Sequence, residues 1–362
     1  MSRLLYVTPP LQAPGRGGRE MLANLHWQCL CDLLGDRAAM HVLAPARVGV
    51  LRALRGEIDG ATRAAGRALI ERIEREDIDR VFFNGSNLGH LAKMIKLAHP
   101  EVEVLTFFHN VETRFFLGAL RQRPGPRALV VFAANHVAER MAAQFSDRLV
   151  MLNARDATDL RRSHRLKATD TLPMALADTR AGGEIPSPID GEYLLFVGGG
   201  FYANQAGIRW FVRDVMPHIS QSLCIVGHDL EPLRAEFAGV PRVRVIGAVN
   251  DLNPWYRHAT AIVAPIFSGS GMKTKVAEAL MHGKAIVGTR EAFEGYDAAS
   301  DLLGLYCENR DDFVRALRAM AAAPPLRFDP DCRARYDRYY CTDAARKRLA
   351  EILAEITPGT NS

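Results

Sequence analysis

The chain has 362 residues, 48% of them hydrophobic, and a formal net charge of +5 at pH 7. That length exceeds the ~250–300 residues at which a single core stops growing, so two domains are expected, while glycine and proline are too sparse for a low-complexity chain. No apolar run approaches the ~20 residues of a spanning helix, and six scattered cysteines have neither metal-ligand spacing nor a disulfide framework.

The first residues run directly into a short apolar strand at Leu4 to Thr8 without a leader-like apolar region, which points to the cytoplasm. Further short apolar runs read as buried parallel strands at His41 to Ala44, Val81 to Asn84, Val104 to Phe108 and Leu149 to Leu152. Helix-period stretches such as Glu20 to Leu34 and Ala61 to Arg75 separate them. A second series follows at Tyr193 to Val197, Leu223 to Val226, Val243 to Ile246, Ala261 to Ala264, Ala285 to Val287 and Leu305 to Cys307. The fold class is α/β, with two doubly wound Rossmann-like domains. Residues 1–178 form the first, 179–191 a polar linker and 192–340 the second. Residues 341–362 form a closing helix and tail, the helix packing back toward the first domain.

Charge is uneven. Residues 1–180 hold 26 Lys and Arg against 19 Asp and Glu, and the remainder 20 against 22. Many arginines of the first half (Arg52, Arg55, Arg63, Arg67, Arg72 and Arg75) alternate with acids on one helical stretch, a solvated face. Arg114, Arg121, Arg123 and Arg127 are less balanced, which suits peripheral contact with anionic lipid headgroups or a lipid-diphosphate acceptor. Nucleic acid is not expected as a partner, because the basic segments lack interleaved aromatics and no recognition module is visible.

In such sheets ligands bind beyond the carboxyl ends of the strands, so the loops there hold the candidates. Gly17 and Gly18 follow the first strand and His109 the fourth, in His109-Asn110-Val111-Glu112. Gly198, Gly199 and Gly200 follow the first strand of the second series, with a helical run from Gly207. His228 ends the next strand, and Val249 to Leu252 follows the third. Each of these has a structural reading as well, since glycines and Asn-Asp turns commonly end strands.

The segment Ser268 to Thr289 carries most. Gly269 and Gly271 permit a tight turn, and Met272, Val276, Ala279 and Leu280 repeat at helical period, so a helix is expected to start at the glycines. Its free amides and positive dipole end would meet an anion at Gly271 and Met272. Lys273 and Lys275 place cations in the first turns, where they are unfavourable without an anion. Glu278, three residues after Lys275, is positioned for a ribose diol. The sole Asp-x-Asp pair, Asp77-Ile78-Asp79, precedes a strand and so lies at the wrong end of the sheet for a metal-bound donor.

Together these residues resemble the GT-B glycosyltransferases, and more narrowly glycosyltransferase family 4, retaining enzymes that use nucleotide-sugar donors. The resemblance covers nearly the whole chain. Its most specific part runs from Ala264 through Glu278-Ala279-Leu280 to Thr289 and looks like the donor signature of a bacterial polysaccharide branch; the Gly199 to Phe211 segment, Val249-Asn250-Asp251-Leu252 and His109-Asn110-Val111-Glu112 share it. The chain departs at Ser270, where members often carry the first of two glutamates eight positions apart, so Ser270 and Gly269 stand at the donor-sugar position. It also lacks an arginine and a lysine after Gly200.

The resemblance implies two domains facing a cleft and transfer of a sugar from UDP or GDP to a saccharide or lipid-linked saccharide at the inner face of a membrane. Gly17, Gly18, Gly199, Gly200, Gly271, Met272, Lys273 and Lys275 would bind the diphosphate, and Glu278, His228, Val249 and Leu252 the ribose and base. His109 and Lys275 would be catalytic. Neither a cofactor nor a metal is expected, because charge developing on the leaving phosphate is met by Lys275 and oriented amides. Two other readings stay open: a nucleotide-sugar epimerase of the same fold, and a non-catalytic nucleotide-sugar binding subunit, the latter motivated by Ser270.

Overall fold

A computed structural model describes residues 2–9, 18–180, 182–269, 271–296, 304–323 and 327–354. The apolar runs form twelve strands among these residues, all paired in parallel. Helices cover both faces of such sheets, which is why the inner strands are hydrophobic on successive residues instead of alternating.

The first unit holds β1 (Leu4–Thr8), β2 (Ala38–Val42), β3 (Arg80–Asn84), β4 (Glu103–Phe108), β5 (Arg148–Met151) and β6 (Asp170–Thr171), in the order β2-β1-β3-β4-β5-β6. Phe82, Phe83, Phe107 and Phe108 are fully buried in its centre. The chain runs from β1 out to β2 and then recrosses to β3, so the strand order switches between β1 and β3. Residues through Met174 and those from Thr342 onward make up this unit, and Ala175–Cys341 make up the other. The helix Thr342–Ala354 therefore packs within the first unit. It buries Ala345, Leu349 and Ile352, and Arg348 Nε donates to the Thr171 carbonyl at 2.8 Å.

The second unit holds β7 (Tyr193–Val197), β8 (Ser222–Val226), β9 (Val243–Gly247), β10 (Ala261–Ala264), β11 (Ile286–Gly288) and β12 (Leu305–Tyr306), ordered β12-β11-β10-β7-β8-β9. Its switch lies between β7 and β10, where Ala261 pairs with Leu194 and Ile262 with Leu195.

Some boundaries differ from the sequence reading. The second strand is Ala38–Val42 and not His41 to Ala44, because two alanines and a half-exposed edge position hide it from an apolar count. β6 was not foreseen; it has two residues and is held by Arg148 Nε on the buried Asp170 carboxylate at 2.8 Å. The helix expected from Gly207 begins at Tyr202 and ends at Trp210. Gly207 sits inside it because a Cβ there would lie 1.8 Å from the Pro265 carbonyl oxygen. Among the described residues no helix is long and apolar enough to cross a membrane, and the described cysteines are unpaired.

Candidate functional site

The switch between β7 and β10 brings two loops together at the carboxyl edge of the second sheet, the place where open α/β sheets hold ligands. From β7 comes Gly198-Gly199-Gly200. The three glycines do different jobs. A Cβ on Gly198 would press the Asn204 side chain at 2.8 Å, and one on Gly200 would lie 2.3 Å from the Asp229 carbonyl oxygen. Only Gly199 faces open space, with nothing within 4 Å. Gly200 is thus fixed by the neighbouring β8 loop, a backbone approach that the ligand reading did not foresee.

From β10 the chain passes through a turn at Gly269 (φ 155°) and Gly271 (φ 64°), both in the region that favours glycine. The helix that follows is Thr274–Met281, with extended Lys273 as its N-cap. It therefore does not start at the glycines, and Gly271 and Met272 precede it. The turn takes these extra residues because Gly271 is left-handed and Lys273 extended, so helical geometry begins only after them. Ser270, like Gly17, lies outside the described residues, and Gly18 opens the helix Gly18–Leu34.

Lys275 and Glu278 lie on this helix and are both buried. Lys275 Nζ donates to Asn204 Oδ1 at 2.9 Å and stands 4.1 Å over the Phe196 ring. Asn204 in turn donates through Nδ2 to the Gly199 carbonyl at 2.9 Å, so one amide ties the lysine to the glycine loop. Burial pushes the Lys275 ammonium down to about 7; Glu278 opposes this and Lys273 adds to it. The Tyr256 hydroxyl donates to Glu278 Oε2 at 2.6 Å, while burial raises the carboxyl above its usual range. Tyr256 is itself stacked on His282 with centroids 5.0 Å apart. Lys273 turns to other partners: its Nζ donates to the Gly271 carbonyl and to Glu291 Oε1, each at 2.9 Å.

The loops after β8 and β9 border the same edge. His228 is exposed beyond β8, and Val249 and Leu252 are half-buried beyond β9, where Asp251 Oδ1 accepts from the Asn253 amide. These positions line the rim on the β9 side of the switch.

The first unit has its own polar cluster at the β1–β3 switch. Asn84 Nδ2 donates to Thr8 Oγ1 at 3.1 Å, and Asn84 Oδ1 lies 2.9 Å from His109 Nε2. This pairing places the His109 proton on Nε2 and leaves Nδ1 as an acceptor. Nδ1 is buried and has no hydrogen-bond partner among the described residues. Burial, with Arg19 and His26 nearby, pushes His109 well below the usual imidazole range, so the ring is neutral. A cavity of about 170 Å³ adjoins, lined by Thr8, Arg19, Asp59, Asn84 and Asn87 among others. Behind it, buried Glu139 accepts from the backbone N–H groups of Glu112 and Thr113 and from His164 Nε2 at 2.8 Å. It thereby caps the helix Glu112–Gln122 that follows the His109 loop. Glu112 is raised to about 7 by burial, with Arg19 opposing and Glu139 reinforcing.

Sequence reasoning missed Asn204, Tyr256, Glu291, Asn84 and Glu139. A polar residue within a buried stretch, such as Glu139 or Tyr256, is the signal that marks them. Arg114 was read as unbalanced, yet it pairs with Asp159 45 residues on. Asp79 Oδ1 accepts from Ser2 Oγ and Arg3 N at 2.8 Å, at the amino end of the strands. Among the described residues no group of three His, Cys, Asp or Glu is arranged to hold a metal ion.

Residues 191–322, within which this second-unit site lies, match the model of a family described as glycosyl transferases group 1. No curated protein matches the chain. Among solved structures it is similar to sucrose-phosphate synthase from Thermosynechococcus elongatus, at 14% identity and TM-score 0.73, over 98% of this chain and 99% of that one. It is also similar to HepE of Anabaena in complex with UDP-glucose, at 10% identity and TM-score 0.66, over 97% and 100%. WaaG, a glycosyltransferase involved in lipopolysaccharide biosynthesis, aligns at 14% identity and TM-score 0.66 over 98% and 100%. The fold is GT-B, two α/β units each built on a parallel six-stranded sheet. Within the second of them, residues 191–322 form a domain of the kind found in group 1 glycosyl transferases.

Proposed function

We propose that the protein is a retaining, metal-independent glycosyltransferase that moves a sugar from a UDP- or GDP-sugar to a saccharide or lipid-linked saccharide acceptor in cell-surface polysaccharide or glycolipid synthesis. The observation that carries this is the pairing of buried Lys275 with the Gly199 loop through Asn204 at the β7–β10 switch, with buried Glu278 one helical turn on. Cleavage of the anomeric bond leaves negative charge on the diphosphate, and Lys275 with the amides of the glycine loops and Met272 meets that charge. Glu278 accepts the ribose hydroxyls, with His228, Val249 and Leu252 around the base. HepE binds UDP-glucose, which favours a nucleotide-sugar donor here.

The acceptor hydroxyl attacks from the leaving-group face, and a phosphate oxygen takes its proton. Neutral His109 contributes its free Nδ1 as a hydrogen-bond acceptor to the sugar or the acceptor. Exposed Arg121, Arg123 and Arg127, followed by exposed Leu129 and Val131, supply the contact with an anionic membrane at the cytoplasmic face.

The test is to incubate the purified full chain with labelled UDP- and GDP-sugars and a lipid extract containing saccharide acceptors. Transfer of label with retained anomeric configuration is the expected result. Sugar interconversion without transfer would mark an epimerase, and saturable binding without turnover a non-catalytic subunit; either refutes the reading.

A further inference from the structure

Gly269 and Gly271 are followed by two lysines with unlike partners. Lys275 is held by an amide from the β7 side, whereas Lys273 is held by a carboxylate from the β11 side. β11, β10 and β7 are consecutive in the sheet, so the loops that leave their carboxyl ends are neighbours. Glu291 belongs to the loop after β11. Its Oε1 lies 2.9 Å from Lys273 Nζ and 3.6 Å from the position that a Cβ on Gly269 would occupy. The Lys273 and Glu291 side chains are only 12% and 18% exposed. Tyr202, the first helical residue after the β7 glycines, shares a hydrogen bond with the Ser268 side chain and lies within the field of Glu291. Three loops thus bring a phenol, a hydroxyl, an ammonium and a carboxylate to one turn of the proposed donor site.

As a purely structural device this pair is a poor choice. Removing two charges from water offsets most of their attraction, and apolar residues of similar volume commonly stabilise as well or better. A transferred sugar supplies the missing purpose. Its ring hydroxyls need acceptors, a carboxylate can accept several hydrogen bonds at once, and those bonds are charge-assisted.

We propose that Glu291 is the specificity-determining residue that accepts hydrogen bonds from hydroxyls of the transferred sugar, with Lys273 holding its carboxylate ionised and aimed at the turn. This rests on the nucleotide-sugar reading above. A site built to bond a substrate hydroxyl discriminates strongly against an analogue that presents it wrongly, by factors of about 10⁴ at the extreme.

The experiment uses the full chain, with Glu291→Gln and Glu291→Ala beside the wild type, each verified as folded by circular dichroism. Calorimetry measures the dissociation constants of UDP, GDP, UDP-glucose, UDP-galactose and GDP-mannose. The expected result is that both variants keep the affinity for the bare nucleotide within about threefold, while the affinity for the preferred nucleotide sugar falls at least about tenfold, consistent with one charge-assisted bond. The preference between UDP-glucose and UDP-galactose, which differ at one hydroxyl, also narrows. Equal weakening of nucleotide and nucleotide sugar would show that Glu291 acts only by supporting the turn through Lys273, and unchanged affinities for both would show that it does not meet the ligand; each overturns this inference alone. Failure of the wild type to bind any of the five ligands would overturn the donor reading itself.

Discussion

Measuring UDP-glucose affinity between pH 6 and 9 reads the charge on Lys275. Burial holds this ammonium at about 7 in the free protein, well below its usual 10.5. About nine in ten molecules therefore carry the charge at pH 6 and about one in a hundred at pH 9. The bound diphosphate holds the lysine protonated, so the dissociation constant rises about tenfold per pH unit above 7. That is about 100-fold, or about 2.7 kcal/mol, across the range. UDP-glucose suits the test because both phosphates of its diester stay ionised throughout, so the charge on the ligand's diphosphate does not change. Calorimetry in two buffers of different ionisation enthalpy should register uptake of about one proton per ligand at pH 9 and almost none at pH 6. Lys275→Met should bind weakly with a flat profile. A flat wild-type profile without proton uptake would refute the reasoning. The same shift has a stability consequence of defined sign. The folded pKa lies below the unfolded one, so the unfolded chain binds more protons between pH 7 and 10.5, and this lysine's contribution to stability rises with pH through that window.

Three further outcomes are expected. Glu278→Gln should weaken bare UDP by about tenfold, since the ribose loses a charged acceptor while the Tyr256 bond at 2.6 Å can persist; unaltered UDP binding by calorimetry would remove Glu278 from the ribose. Lys284→Met strips the single ammonium that donates to the carbonyls of Arg257, Ala259 and Arg327 at 2.7, 2.9 and 2.5 Å. It should cost at least about 3 kcal/mol in a urea titration, because buried acceptors are left unpaired, and a cost under about 1 kcal/mol would contradict that. Gly207→Ala forces a Cβ to within 1.8 Å of the Pro265 oxygen, so a loss of about 1–3 kcal/mol and a raised donor KM are expected; wild-type values for both would show that the loop after β10 yields freely.

Central strands were legible because residues buried on both faces have to be apolar in sequence, and Leu4–Thr8, Tyr193–Val197 and Ala261–Ala264 emerged without error. The two edges of the first sheet were not, since Ala38–Val42 and Asp170–Thr171 form where only one neighbour constrains composition. In the site, glycines could be seen but not their reasons. Gly200 and Gly207 yield to backbone from other loops, a fact set by sheet order and invisible to local spacing. Lys273 and Lys275 looked equivalent two residues apart, yet a partner 18 residues downstream and another 71 upstream give them different surroundings. The longer separation comes from the crossover at β7–β10 and the shorter from the pairing of β10 with β11, neither of which a single strand's pattern encodes.

The helix Thr342–Ala354 covers part of a unit whose strands were all laid down before Met174. On the ribosome, the first sheet emerges with the surface meant for Leu349 and Ile352 still bare, and it stays so until the whole second unit has been translated. The apolar patch is then exposed for the time needed to synthesise about half the chain, a period of many seconds at ordinary elongation rates. Truncations just before Thr342 would make that transient exposure permanent, turning a folding intermediate into an end product prone to self-association.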